Sequence, residues 1–225
     1  MGVTLFDIDI TTFGWENSYF TLDQGVESSL TNYGGVSFHK VRGSGTWQIR
    51  YESYDWSEVD NTNRRNFNRM DDIRAYCYGV PVYPLDQANP VEGAVNDAGL
   101  TIGAVSPNRD GFTIAGSGFN TGQKLMYGDF VEIIREGTTN ERFLHRVAQD
   151  WVYDASTVNT NFLRVRPGLW AREIPDSRVK FTNPSCNAVI VDAGIIQDPI
   201  TKVGRFVADK AATCFLELSV SLLRL

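Results

Sequence analysis

The chain predicts a mainly β fold in two parts: a β-domain closed by its own two ends, with one helix, and a small antiparallel β-domain in between. Three observations carry this. First, Leu216, Leu218, Val220 and Leu222 alternate with Glu217, Ser219 and Ser221, the period of two expected of a half-buried strand, and Trp47–Tyr54 repeats the pattern far upstream. Second, between about residues 100 and 182 short apolar runs recur, each bounded by turn residues and none with helical period. Third, a single stretch, 57–77, has a helical stripe. A late strand must satisfy its backbone groups on earlier strands, so the middle of the chain becomes an excursion.

Taken in order, Val3–Ile10 is the first expected strand. Residues 11–44 are polar and glycine-rich with isolated aromatics (Phe13, Trp15, Tyr19, Phe20, Tyr33 and Phe38), and are expected to be loop, with turns at Asn32–Gly35 and Arg42–Gly45. The Trp47–Tyr54 strand leads to the helix. Ser57 caps it, Glu58 and Asp60 lie in its first turn, Phe67, Met70, Ile73 and Cys77 form its apolar stripe, and Gly79 and Pro81 end it. Residues 84–99 lack periodicity and form a linker. Strands follow at Leu100–Val105, Phe112–Ala115, Phe130–Arg135, Phe143–Val147, Trp151–Tyr153, Phe162–Arg166 and Arg178–Thr182, which suits a small antiparallel barrel or sandwich. Asn183-Pro184 marks the return, and Asn187–Asp192 and Cys214–Leu223 rejoin the first domain across a polar loop. The expected boundaries are 1–92, 93–183 and 184–225.

Composition excludes several classes. At 225 residues with 42% hydrophobic side chains the chain can build a core, and its 20 glycines and eight prolines suit many turns. The net charge of −6 is poorly matched to gripping phosphate backbones. Cys77, Cys186 and Cys214 have neither metal-ligand nor disulfide-framework spacing, and reduced, buried thiols are the expectation. The first residues lack the basic and apolar regions of a signal peptide, and no run approaches the roughly 20 apolar residues of a spanning helix. A membrane anchor is not expected.

Catalytic patterns are equally scarce. His39 and His145 are the two histidines, and His145 shares a strand face with Phe143 and Val147, the setting of a packed or hydrogen-bonded ring. No HExxH or G-x-S-x-G occurs, and the glycine-rich 111–122 stretch lacks the lysine of a phosphate loop. No carboxylate pair stands out: Asp71 and Asp72 diverge on the helix, Asp7 and Asp9 share one strand face, and Asp129 and Glu132 are out of phase. Catalytic, metal and cofactor residues are therefore expected to be none. Trp47 and Trp151 lie in strand patterns and read as core, whereas Trp15 and Trp170 lie in loop-like contexts where a sugar platform is conceivable.

Two stretches carry a resemblance. Gly43–Glu52, a turn and an aromatic-rich strand, precedes the helix ending Ile73–Gly79 and the extended Pro81-Val82-Tyr83-Pro84. Further on, Gln123–Ile133 with its Gly-Asp-Phe-Val, then Phe143–Asp150 with His-Arg-Val, then Leu163–Leu169 follow in fixed order. Between Trp47 and Pro184 the chain resembles the distal tail and baseplate-hub (minor tail) proteins of long-tailed bacteriophages and related gene-transfer particles. The resemblance implies a tail-tube-like β-sandwich hub domain with an inserted OB-like or sandwich domain, and a structural virion role without enzymatic activity. It implies a homohexameric ring joining the tail tube protein to baseplate hub or tail fibre proteins, around a channel through which DNA passes without specific binding. The protein would be made in the bacterial cytoplasm and reside in the virion. Asp192–Asp209 is longer than in the simplest versions of the pattern, and an arm reaching a neighbour is one reading of it.

On that reading, the loop aromatics Phe13, Trp15, Tyr19 and Phe20 and the apolar Ile195, Ile196 and Val203 are the expected inter-subunit contacts. Asp7, Asp9, Glu52 and Glu217 are the expected channel-facing groups. The alternative is a carbohydrate- or receptor-binding tail component using Trp170. A wall hydrolase is the third possibility, and the missing catalytic constellation argues against it.

Overall fold

The computed structural model describes residues 15–23, 26–30, 37–41, 46–53, 79–135, 141–157, 160–169, 173, 175–196 and 213–219. The chain divides into two compact units: residues 1–21, 48–86 and 187–225 form one, and residues 22–47 and 87–186 the other. Among the described residues there are strands and turns but no helix. The expected helix at 57–77 and the expected strand at Val3–Ile10 lie outside them.

The first unit is built around one five-stranded sheet. Its strands are β1 (Trp15–Asp23), β4 (Thr46–Ser53), β5 (Gly79–Val82), β14 (Cys186–Ile196) and β15 (Thr213–Ser219), in the order β1-β4-β15-β14-β5. The late strand therefore pairs where its alternation placed it, with Leu218 opposite Ile49 and Leu216 opposite Tyr51. Ile49 and Tyr51 are buried while Gln48 is exposed, and the register sets Leu218 and Leu216 opposite the two buried positions. Tyr51 donates its hydroxyl proton to the Tyr83 carbonyl and accepts the Tyr83 N–H at 3.0 Å. Phe20 meets its ring edge-on, with centroids 6.2 Å apart.

Two expectations about loops are corrected here. Residues 11–44 hold β1, β2 (Val26–Leu30) and β3 (Ser37–Val41), the last two forming an antiparallel hairpin with Val26 opposite Val41. In β1, Asn17, Tyr19, Thr21 and Asp23 are exposed while Ser18, Phe20 and Leu22 are half-buried. A strand with a wet face tolerates polar residues and an outward aromatic, and that mixture reads as loop. Likewise Ile195 and Ile196 lie in β14, opposite Cys214 and Thr213, and not in a loop.

The second unit contains a closed six-stranded antiparallel barrel. Its strands are β6 (Thr101–Val105), β7 (Gly111–Ala115), β9 (Phe130–Ile134), β10 (Arg142–Val147), β12 (Leu163–Arg166) and β13 (Arg178–Lys180). Around the wall the order is β6-β7-β12-β10-β9-β13, with β13 closing back on β6. A two-stranded ribbon, β8 (Lys124–Leu125) with β11 (Trp151–Val152), lies outside that wall. Closure removes the sheet edges that would otherwise need covering.

The barrel core comprises Leu100, Ile102, Phe112, Ile114, Val131, Ile133, Val147, Leu163, Val165, Val179 and Phe181 with their neighbours. Phe119 meets Trp151 and Phe181 edge-on, at 5.5 and 5.4 Å between centroids. Gly118 sits where the backbone passes the 96–100 segment so closely that a Cβ would fall 2.0 Å from the Asn96 carbonyl oxygen; only glycine fits. At the mouth of the insertion the Asn183 N–H donates to the Ala88 carbonyl at 2.6 Å. The two ends of the 87–186 segment thus lie side by side.

Candidate functional site

Three groups of side chains in the barrel unit bear chemistry. The deepest is His145 with Glu173. His145 lies on β10 on the same face as Val147, which is core, so its ring points inward. Both side chains are 0% exposed. Nε2 meets the Glu173 carboxylate, and Nδ1 is 2.8 Å from the Pro167 carbonyl oxygen. The Pro167 carbonyl can only accept, so Nδ1 carries a proton, and the contact of Nε2 with a carboxylate favours the imidazolium form. Burial alone would push its pKa down. The Glu173 charge and hydrogen bond, with the Pro167 carbonyl, outweigh that and hold it above the usual histidine value. Arg109 reinforces the same segment through its guanidinium, donating to the Leu169 carbonyl at 3.1 Å and the Glu173 carbonyl at 2.9 Å. The dyad faces no solvent, and its chemistry is that of a tether holding Pro167 and Glu173 to the wall.

Carboxylates occupy three further structural posts. Glu132 on β9 is fully buried, accepts the Ser185 N–H at 2.9 Å, and pairs with Arg142 at 3.2 Å and Lys180 at 3.7 Å. Burial raises its pKa despite these cations. Desolvation and ion pairing therefore pull in opposite directions, and desolvation wins because both partners are one-third exposed and remain hydrated. Asp129 accepts the Val91 and Met126 N–H groups at 3.0 and 2.7 Å. Asp97 accepts those of Phe181 and Thr182, both at 2.9 Å. These are backbone clamps across long sequence separations, for which a single sequence offers no signal beyond the turn at Asn96–Gly99.

The outermost group is an aromatic and arginine corner. Trp47 is buried and donates its indole N–H to the Leu144 carbonyl at 2.7 Å. The Arg146 guanidinium lies 5.9 Å from the centroids of both Trp47 and Tyr127. Tyr127 is 65% exposed. Trp47 and Trp151 are core, as their strand patterns predict.

The expected contact residues distribute as follows. Trp15, Tyr19 and Phe20 lie on β1, where Tyr19 is exposed and Phe20 half-buried; Ile195 and Ile196 lie on β14. Phe13, Val203 and Trp170 lie outside the described residues, as do the channel candidates Asp7 and Asp9. Glu52 and Glu217 fall on adjacent strands, opposite Phe215 and Arg50, and the register gives them one face of the sheet, opposite to that of Ile49 and Tyr51. Asp192 of β14 lies opposite Glu217 in the same row. No group of His, Cys, Asp and Glu among the described residues is placed to hold a metal ion. No helix among them is long and apolar enough to cross a membrane. No protein-family model matches the chain, and neither does any curated protein.

Proposed function

We propose that this protein is a structural component of a phage-type tail, a distal tail or baseplate-hub ring protein that joins the tail tube to the host-binding apparatus around a DNA channel. One observation carries the reading: β15 lies between β4 and β14 in a sheet made from distant parts of the chain, and a closed barrel is inserted between them. A two-layer, tail-tube-like hub is the architecture that such a sheet and the resemblance together favour.

Two details support a ring. Among the described residues β1 and β5 are the edges of the sheet. Pro81 blunts β5, because it offers no N–H to a ladder, whereas β1 carries no proline. A strand of a second copy adds to such an edge and propagates around a closed ring. The face shared by Glu52, Glu217 and Asp192 supplies acidic positions that would repel a passing polyanion.

Negative-stain imaging of the purified full chain tests the reading. Six-fold rings with a central pore are expected. A single chain at every concentration, both alone and with a tail tube protein present, would refute it.

A further inference from the structure

The barrel wall carries an arginine pair that meets no carboxylate among the described residues. Val147 and Val165 are an in-register pair on β10 and β12, and both belong to the core. The next pair, Arg146 opposite Arg166, therefore points outward on one face. Like charges directly opposite each other are destabilising. Three other arginines of this unit are paired with carboxylates: Arg135 with Glu141, Arg142 with Glu132 and Arg164 with Asp110. Among the described residues Arg146 meets only the two aromatic rings, and Arg166 is exposed and meets no carboxylate.

Apolar surface gathers at the same corner. Tyr127, Val91 and Val152 are 65%, 73% and 47% exposed, and the other exposed large hydrophobic among the described residues, Tyr19, is on β1 in the other unit. The Asp129 carboxylate ties the Val91 and Met126 amides together, which holds Val91 beside Tyr127. Val152 pairs with Lys124 on the ribbon that leads into Tyr127. Acidic groups near this corner include Asp129, spent on the Val91 and Met126 amides, and Asp150, which accepts the Tyr127 N–H at 2.7 Å, while Glu92 follows Val91 in the chain and is exposed. Exposed tyrosine and arginine are among the residues that dominate protein–protein binding energy, and the two valines add exposed apolar area.

The charge distribution identifies the occupant. Residues 1–21, 48–86 and 187–225 carry 14 acidic and nine basic side chains, a net of −5, whereas the barrel unit carries 13 and 12, a net of −1. A unit so nearly neutral is not built to grip nucleic acid. We propose that the Arg146–Arg166–Tyr127 corner docks the acidic unit of a second copy of this chain. The contact is head-to-tail, and contacts of that type close into rings when the rotation allows. The inference rests on the ring reading and names one of its contacts.

The test uses the full chain as wild type, Arg166→Glu, Tyr127→Ser and, as a control of equal charge change, Arg178→Glu on β13. Mass photometry and sedimentation velocity are run at low and high salt. Wild type is expected to assemble at low salt and to weaken at high salt. Arg166→Glu and Tyr127→Ser are expected to weaken assembly by about tenfold or more, and Arg178→Glu to leave it unchanged. Because Arg166 and Tyr127 are exposed, urea midpoints no lower than that of wild type are expected to confirm folding, and Arg166→Glu, which sets a carboxylate opposite Arg146, is expected to raise its midpoint slightly. If Arg166→Glu assembles as wild type does, this contact is refuted while the ring stands; a wild type that never assembles refutes both. Arg166-dependent binding of a thymidine oligonucleotide, with assembly unaffected, would assign the corner to nucleic acid and overturn the proposal.

Discussion

Replacing Glu173 separates charge from shape at the centre of the barrel. The dyad is fully buried, with acceptors at both ring nitrogens of His145. In Glu173→Ala the ring keeps one acceptor and loses its counter-charge, and removing one partner of a buried pair costs about 3–5 kcal/mol. Glu173→Gln behaves differently. Neutral His145 can donate from Nδ1 to Pro167 and accept from the glutamine amide at Nε2, so both hydrogen bonds survive and the loss is expected to be about 1 kcal/mol. The pH dependence has a definite sign. The folded-state pKa of His145 is raised, so its contribution is complete below the unfolded value of about 6.5 and is lost as pH rises toward the folded value. The slope is at most about 1.4 kcal/mol per pH unit. Urea unfolding followed by tryptophan fluorescence, from mildly acidic to alkaline pH, measures this in the intact chain. Wild-type stability is expected to decline with pH, and Glu173→Gln to flatten that decline. An unchanged slope in Glu173→Gln, or a loss below about 1 kcal/mol in Glu173→Ala, would refute the imidazolium assignment.

Other expectations follow from the same structure. Since burial raises the Glu132 pKa, its ionised form opposes folding as pH rises above the unfolded value, so Glu132→Gln is expected to leave stability at neutral pH within about 1 kcal/mol of wild type or above it; a loss of several kcal/mol in urea unfolding would show that its cations dominate. Cys186 is buried and its thiol pKa is pushed well up by burial and by Glu132. In a Cys77→Ser/Cys214→Ser background, maleimide labelling at Cys186 is expected to track unfolding, and rapid labelling of the native protein would contradict that burial. Gly118→Ala is expected to destabilise by about 2 kcal/mol or more, because its Cβ would meet backbone and not a side chain that can move. Gly122→Ala, with open space but a φ of +89°, is expected to cost only about 1 kcal/mol in the same assay.

What the sequence disclosed tracks how local each signal is. The alternation in Trp47–Tyr54 and in Phe215–Leu222 is a property of eight consecutive residues, and Gln48–Glu52 and Phe215–Ser219 pair in one sheet. The barrel strands were equally legible, because turn residues bracket apolar runs. The β1–β3 region was not legible: its outward positions include Tyr19, and its inward ones include Ser18, whose hydroxyl accepts the Leu85 N–H at 2.9 Å. Such a strand is specified by its partners more than by its own pattern. The candidate site was less accessible still. His145 was foreseen as a buried, hydrogen-bonded ring, but its partner Glu173 is 28 residues away on a connecting segment. Arg146 and Arg166 become a pair only through the register of β10 and β12.

The adjacency of Ala88 and Asn183 at the neck of the insertion bears on the order of folding during synthesis. All six wall strands emerge consecutively, before β15, so the barrel can mature while the outer sheet is still divided into a β1–β4 half and a β5–β14 half. Once formed, it replaces about a hundred residues of floppy tether by a short bridge. Loop closure costs grow as about (3/2)RT ln n, so an early barrel brings the halves near each other before their middle strand arrives. A nascent chain with a crippled barrel would then fail twice, losing that lobe and also delaying the last strand's search for its slot.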